Sequence, residues 1–146
     1  MPDALISIKP KYVDRFLNGQ KVIEIRNRKV NLVNGSKLWI YATLPKASIQ
    51  TIAYVKQVEI DAPKIIWEKH RKLMGISENS YLRYVNGSSK ISAIIMKNIQ
   101  KLNTEIKLEK IRDLVPGFQP PQFIKYMEDH DPILSALLSI LSKKSI

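Results

Sequence analysis

An α+β domain, a small β-barrel of about five to six strands with flanking short helices and a C-terminal helix, is predicted by three features of the chain. Short β-branched runs recur along it, short helical segments interleave with those runs, and a strand carrying charge stands near its start. At 146 residues there is room for one domain with a real core.

The elements follow in order. Ala4 to Ile8 alternates weakly and reads as a first strand. Pro10 suits the first turn of a helix, whose one face carries Tyr12, Val13, Phe16 and Leu17, and Asn18-Gly19 ends it. A strand is predicted over Lys21–Arg28, then a turn at Asn34-Gly35. Leu38-Trp-Ile-Tyr41 has the apolar density of a buried strand, and after Leu44-Pro45-Lys46 another spans Ile49 to Ile60. Ala62 to Leu73 is predicted helical, with His70 as a partly exposed helix residue rather than a ligand, and Gly75 ends it. Ser77 to Tyr84 gives a short helix, and the near-continuous apolarity of Ser88 to Ile99 predicts a strand covered on both sides. A helix is expected over Thr104 to Leu114, after which Pro116-Gly117 and Pro120-Pro121 impose a loop. Asp131-Pro132 is a cap and first helical position for a last amphipathic helix. Its Leu134, Leu137, Leu138 and Leu141 are expected to pack on the domain itself, in preference to a second copy.

Composition narrows the function classes. With no cysteine, disulfides, thiolate zinc sites and cysteine nucleophiles are excluded, and His70 and His130 are too few for a histidine metal site. No metal or cofactor is therefore expected. No apolar leader follows Met1, and the longest apolar tract, Ile133 to Leu141, falls far short of the roughly 20 residues of a membrane span. A cytoplasmic protein is the expectation, with the Asn-Gly-Ser sequences at Asn34 and Asn86 read as turns. Net charge is +11, and its distribution is uneven. Residues 1–60 hold ten basic and four acidic side chains, residues 61–99 seven and three, and residues 100–146 seven and six. A positive excess held in the first two thirds of a small domain favours polyanions, nucleic acid above all.

The charged strand lies in Gly19-Gln-Lys-Val-Ile-Glu-Ile-Arg-Asn-Arg-Lys29. Alternation projects Glu24, Arg26 and Arg28 from one face, with Ile23 and Ile25 turned to a core. An acid flanked by guanidinium groups makes a polar floor for a polar ligand. Strict alternation puts Lys21 on the other face, so it joins Glu24 only from the turn entering the strand or through a bulge.

With these residues in view, the chain resembles the ASCH domains, the activating-signal-cointegrator homology group of the PUA-like barrels. The resemblance rests on Leu5-Ile-Ser-Ile-Lys-Pro-Lys-Tyr12, Phe16-Leu-Asn-Gly-Gln-Lys-Val-Ile-Glu-Ile-Arg26, Trp39-Ile-Tyr-Ala-Thr-Leu-Pro45 and Pro120-Pro-Gln-Phe123. It covers residues 4–127, so the expected division is an ASCH/PUA-like domain at 1–128 and a C-terminal amphipathic helix and tail at 129–146. It implies a PUA-like barrel with a cleft suited to RNA or a modified nucleobase. Some small bacterial members are amidohydrolases on acetylated cytidine, built on a Lys-x-x-Thr-x-Arg arrangement with a later glutamate, and ribonuclease activity is attributed to others. Lys21 and Arg26 match that arrangement, whereas Glu24 stands in the place of the threonine, and a carboxylate is not a like-for-like replacement for an activated hydroxyl. Glu68 and Glu78 are the later acids available.

Three readings follow. As an RNA-binding module, Arg26, Arg28, Lys21 and Lys29 would meet phosphates, with Lys9 and Lys11 as further nucleic-acid contacts. Glu24 would orient a guanidinium or accept from a base edge, and Tyr41 would offer a stacking surface, as would Trp39 or Trp67 if not taken up by the core. As a hydrolase on a nucleoside or on RNA, Lys21 would lower a nucleophile's pKa or stabilise an oxyanion, with Glu24 as general base. As an adaptor, the chain would bind a protein partner or itself through the C-terminal helix.

Overall fold

The computed structural model describes residues 2–144, and residues 145–146 of the expected tail lie outside the described residues. The elements are β1 (Asp3–Ile8), α1 (Pro10–Leu17), β2 (Ile23–Arg26), β3 (Lys37–Ala42) and β4 (Ser48–Asp61), followed by α2 (Pro63–His70) and a 3-10 turn (Arg71–Leu73). Then come α3 (Glu78–Val85), β5 (Ile91–Lys107), α4 (Leu108–Leu114), β6 (Ile124–Met127) and α5 (Pro132–Lys144).

All six strands join one sheet in the order β2-β5-β4-β3-β1-β6. β1 and β3 run parallel, Ala4 opposite Leu38 and Ile8 opposite Ala42, a pairing that needs the long crossover through α1 and β2. The other pairings are antiparallel. The two longest strands supply the curl. β4 shifts register against β5 at Ile49/Thr51, Ile52/Tyr54 and Val55/Gln57, and each such bulge bends its strand and increases the local twist. The result is a curled half-barrel with β2 at one edge and β6 at the other.

The expected helix over Thr104 to Leu114 is corrected at its front. Residues 104–107 extend β5, and the helix begins at Leu108. Backbone pairing decides this: Ser48 and Ile49 lie opposite Lys107 and Ile106, and Ile106 is buried while its neighbours are exposed. β6, the short strand after Pro120-Pro121, is an element that the loop-forming prolines hid.

Three apolar clusters hold the sheet. α1 and the loop residues Val30 and Leu32 cover one face, over Ile6, Ile40, Val55 and Ile94. The opposite face, with Leu5, Trp39, Tyr41 and Ile49, packs against Ile111 of α4 and Ile133, Leu134 and Leu137 of α5. α2 and α3 bury Ile66, Tyr81 and Val85 against Ile23, Ile25 and Ile91. Fully burying one such aliphatic side chain is worth about 1.5–3 kcal/mol. α5 starts as its sequence predicts: Asp131 Oδ1 accepts from the Ile133 N–H at 2.8 Å. Its apolar side packs within the chain, Leu137 fully buried and Leu138 50% exposed. His70 is a helix-end residue whose ring, with the Lys69 ammonium, hydrogen-bonds Glu59. Those two bonds hold the Glu59 carboxyl below its usual range. Among the described residues no helix is long and apolar enough to cross a membrane.

Candidate functional site

The site forms where the β2 edge meets α1 and α3. β2 is only four residues long, and its Glu24 and Arg26 face a cleft of about 500 Å³. The chain entering α1 brings Lys9, Lys11 and Tyr12 to one wall, and α3 brings Ser80, Arg83 and Tyr84 to the other. Tyr84 is tied to the end of β2, its hydroxyl accepting from the Asn27 N–H at 3.3 Å.

Lys21 precedes β2 and pairs with Met74 in an isolated bridge, so it escapes strict alternation and shares the cleft with Glu24 and Arg26. Its side chain is 3% exposed. The ammonium donates to the Met74 carbonyl at 2.5 Å and lies 3.7 Å from Glu24 Oε1. Tyr12 and Phe16 rings stand 5.3 Å away. Burial lowers the Lys21 pKa; the Glu24 charge opposes this, and Arg15 and Arg26 add to it. Gly75 backs the stem of Lys21: at φ +58° its backbone runs so close that a Cβ there would stand 2.7 Å from Lys21 Cβ. The Gly75 carbonyl in turn accepts from Arg15 Nη1 at 2.6 Å.

Arg26 closes the seam of the half-barrel. Its Nη2 donates to Glu24 Oε2 at 2.8 Å and, across the gap, to the Ser7 carbonyl at 2.8 Å. That carbonyl belongs to the part of β1 that β6, which pairs only as far as Ile6, leaves open. The buried Arg26 Nε has no hydrogen-bond partner among the described residues. Chemically, the exposed rim cations attract an anion. The floor offers a carboxylate held between two cations and a lysine whose charged form is destabilised, a group suited to giving up a proton.

Of the residues singled out from sequence, Lys9, Lys11, Lys21, Glu24 and Arg26 come together in this cleft. Two do not. β2 ends at Arg26, so Arg28 leaves the strand face and lies over the Phe123 ring at 3.5 Å, in an adjoining groove. Tyr41 shares its side of β3 with Trp39 and is buried, 3% exposed, under α4 and α5. The correction is one of register: Leu38, Ile40 and Ala42 take one face of the sheet, and Trp39 and Tyr41 take the other. Trp39 is also core, its indole N–H donating to Asp3 Oδ2 at 2.8 Å.

Sequence reasoning missed Tyr12, Ser80, Arg83 and Tyr84. Tyr12 had a signal, since it follows Lys11 at the start of a helix beside a basic strand. The α3 residues had none, because they reach the site only through tertiary packing. Among the described residues no group of three His, Cys, Asp or Glu side chains is placed to hold a metal ion.

Comparison with known proteins bears on this arrangement. The family model described as Domain of unknown function (DUF365) matches residues 5–117. A curated relative, an ASCH domain-containing ribonuclease from Zymomonas mobilis, is 26% identical over 129 residues, spanning 88% of this chain and 86% of that protein. The crystal structure of ASCH from Zymomonas mobilis superposes with a TM-score of 0.86 at 26% identity, covering 94% of each chain. The human THYN1 protein, solved with 5-methylcytosine-containing DNA, superposes with a TM-score of 0.59 at 11% identity over 97% of this chain and 98% of that one, a likeness of fold alone. The chain thus belongs to the family described as Domain of unknown function (DUF365), and it is similar in sequence and fold to the ASCH protein of Zymomonas mobilis.

Proposed function

We propose that this chain binds single-stranded RNA, with one nucleotide seated in the cleft between β2, α1 and α3. The observation that carries the reading is the convergence of Lys9, Lys11, Lys21, Arg26 and Arg83 with Glu24, Tyr12 and Tyr84 around one space of about 500 Å³. That volume is within the usual range for a small-molecule site. Lys9, Lys11 and Arg83 meet phosphate oxygens, and Glu24 meets a base or sugar edge. The Tyr12 and Tyr84 rings offer π-faces to the base. The similarity to the ASCH domain-containing ribonuclease supports the same class of ligand.

The test is a titration of labelled single-stranded RNA by fluorescence anisotropy across salt concentrations. Lys11→Ala, at an exposed position, removes one phosphate contact and should flatten the slope of log K against log[salt] by about 0.7. A slope and affinity equal to wild type would refute the assignment.

A second reading, cleavage of the bound strand, is favoured by the buried Lys21 beside Glu24 and by the ribonuclease relative. In this reading Glu24 takes the proton of a ribose 2′-hydroxyl, whose oxygen bonds to the neighbouring phosphorus. The bond from phosphorus to the 5′-oxygen breaks, and the Lys21 ammonium protonates the departing oxygen. The lowered pKa of Lys21 makes it the stronger acid for that step. The products are a 2′,3′-cyclic phosphate and a 5′-hydroxyl, distinguishable on a denaturing gel after end-labelling. Turnover that survives both Glu24→Gln and Lys21→Met would exclude these roles.

A further inference from the structure

Beside the cleft, where the chain leaves β2 and faces β6 across the seam, lies a groove of about 170 Å³ whose walls include Arg26, Arg28, Lys29, Val30, Phe123 and Tyr126. Arg26 lines both spaces, so they adjoin on either side of one side chain. None of the groove's lining residues is acidic, and among the described residues neither Arg28 nor Lys29 makes a salt bridge. Phe123 and Tyr126 are 47% and 44% exposed, a large apolar area left in water on a small domain. The Arg28 guanidinium carbon lies 3.5 Å from the centroid of the Phe123 ring, and Arg28 is exposed. Guanidinium planes and aromatic rings are the surfaces on which unpaired bases stack, with little dependence on sequence.

We propose that this groove is a second nucleotide subsite. The ligand is then an oligonucleotide strand that passes over Arg26, one nucleotide in the cleft and its neighbour stacked at Arg28 and Phe123, rather than a free nucleoside. Arg28 and Lys29 supply positive charge for the intervening phosphate. The inference rests on the RNA reading above and adds the place of the neighbouring nucleotide.

The experiment measures binding of 5′-phosphorylated homopolymers of each ribonucleotide, from one to six nucleotides long, to the full chain by competition anisotropy, with strand lengths checked on a gel afterwards. Wild type should gain affinity stepwise on going from the mononucleotide to two or three nucleotides. Phe123→Ala combined with Tyr126→Ala should remove that step, a loss of roughly 5- to 100-fold on the longer strands, and leave mononucleotide affinity unchanged. Arg28→Ala, at an exposed position that carries no core packing, should remove the step as well, which keeps the test decisive if the aromatic variant folds poorly. Loss of the step in either folded variant, with mononucleotide affinity kept, supports the subsite. Wild type that binds a mononucleotide as tightly as a hexamer, or folded variants that keep the step, overturns the subsite alone. Wild type that binds no strand of any length overturns the subsite and the RNA reading together.

Discussion

Replacing Gly75 by alanine probes how the site is built, because that glycine and Lys21 are pressed together. A Cβ at residue 75 would stand 2.7 Å from Lys21 Cβ, 3.0 Å from Cγ and 3.1 Å from Cδ. The nearest of these atoms is fixed to the Lys21 backbone, so a rotamer change cannot relieve the contact. Either the strap at residues 73–75 or the start of β2 must move. Holding alanine at φ +58° costs about 1–2 kcal/mol, and overpacking of this kind adds about 1–3 kcal/mol. Gly87 provides the control, since it has φ +83° and nothing within 4 Å of the point where an alanine methyl would stand. Gly87→Ala therefore carries the backbone cost without the clash. Urea denaturation should place Gly75→Ala about 1–3 kcal/mol below Gly87→Ala in stability. RNA titration of the same two proteins should show affinity lost in Gly75→Ala and kept in Gly87→Ala, because Lys21 leaves the Met74 carbonyl and Glu24. Equal destabilisation by the two substitutions, or wild-type RNA affinity in Gly75→Ala, would show that the close approach of Gly75 does not position Lys21.

Lys21 also sets a pH dependence. The folded chain holds the Lys21 proton less tightly than the unfolded chain, so stability rises with pH between the lowered value and the ordinary 10.5, and falls away as pH drops through that window. Lys21→Met should abolish the rise; parallel stability profiles for the two proteins there would contradict the burial argument. On α5, Leu137→Ala should cost about 2–5 kcal/mol by cavity formation, whereas the exposed Leu138→Ala should stay within about 0.5 kcal/mol of wild type in chemical denaturation. Arg26→Lys keeps the charge but loses the guanidinium whose Nη2 donates to Glu24 and the Ser7 carbonyl together. Hydrogen exchange at β2 and at Ser7 should accelerate in that variant, and exchange unchanged there would show that the seam is held by other contacts.

Much of the fold could be read from the chain because its signals are local. The β-branched runs at residues 4–8, 38–41 and 49–60, the Pro10 and Pro132 helix starts and the Asn-Gly turns each act within a few residues. Even the cluster of Lys21, Glu24 and Arg26 was legible, on the condition that Lys21 lies outside the strict alternation, and its isolated bridge to Met74 is the means by which it reaches Glu24. What escaped depends on partners distant in sequence. The second half of β5 exists because β4 continues beside it, and β6 because β1 has a free edge. The α3 wall of the cleft lies more than fifty residues beyond β2 and carries no spacing that announces it. Tyr41 is the instructive contrast: its parity with Trp39 already assigned it to the wrong face for the cleft, and the nearby proline loop masked that alternation.

The claim that RNA sits between β2, α1 and α3 is tested most directly by titrating unlabelled single-stranded RNA into isotope-labelled protein and mapping amide chemical-shift changes. The changes should cluster at Ser7, Lys11, Arg26, Ser80 and Tyr84, and at Arg28 and Phe123 once the strand exceeds one nucleotide. Changes centred on α4 and α5 with a silent cleft, or no change at saturating RNA, would contradict the claim.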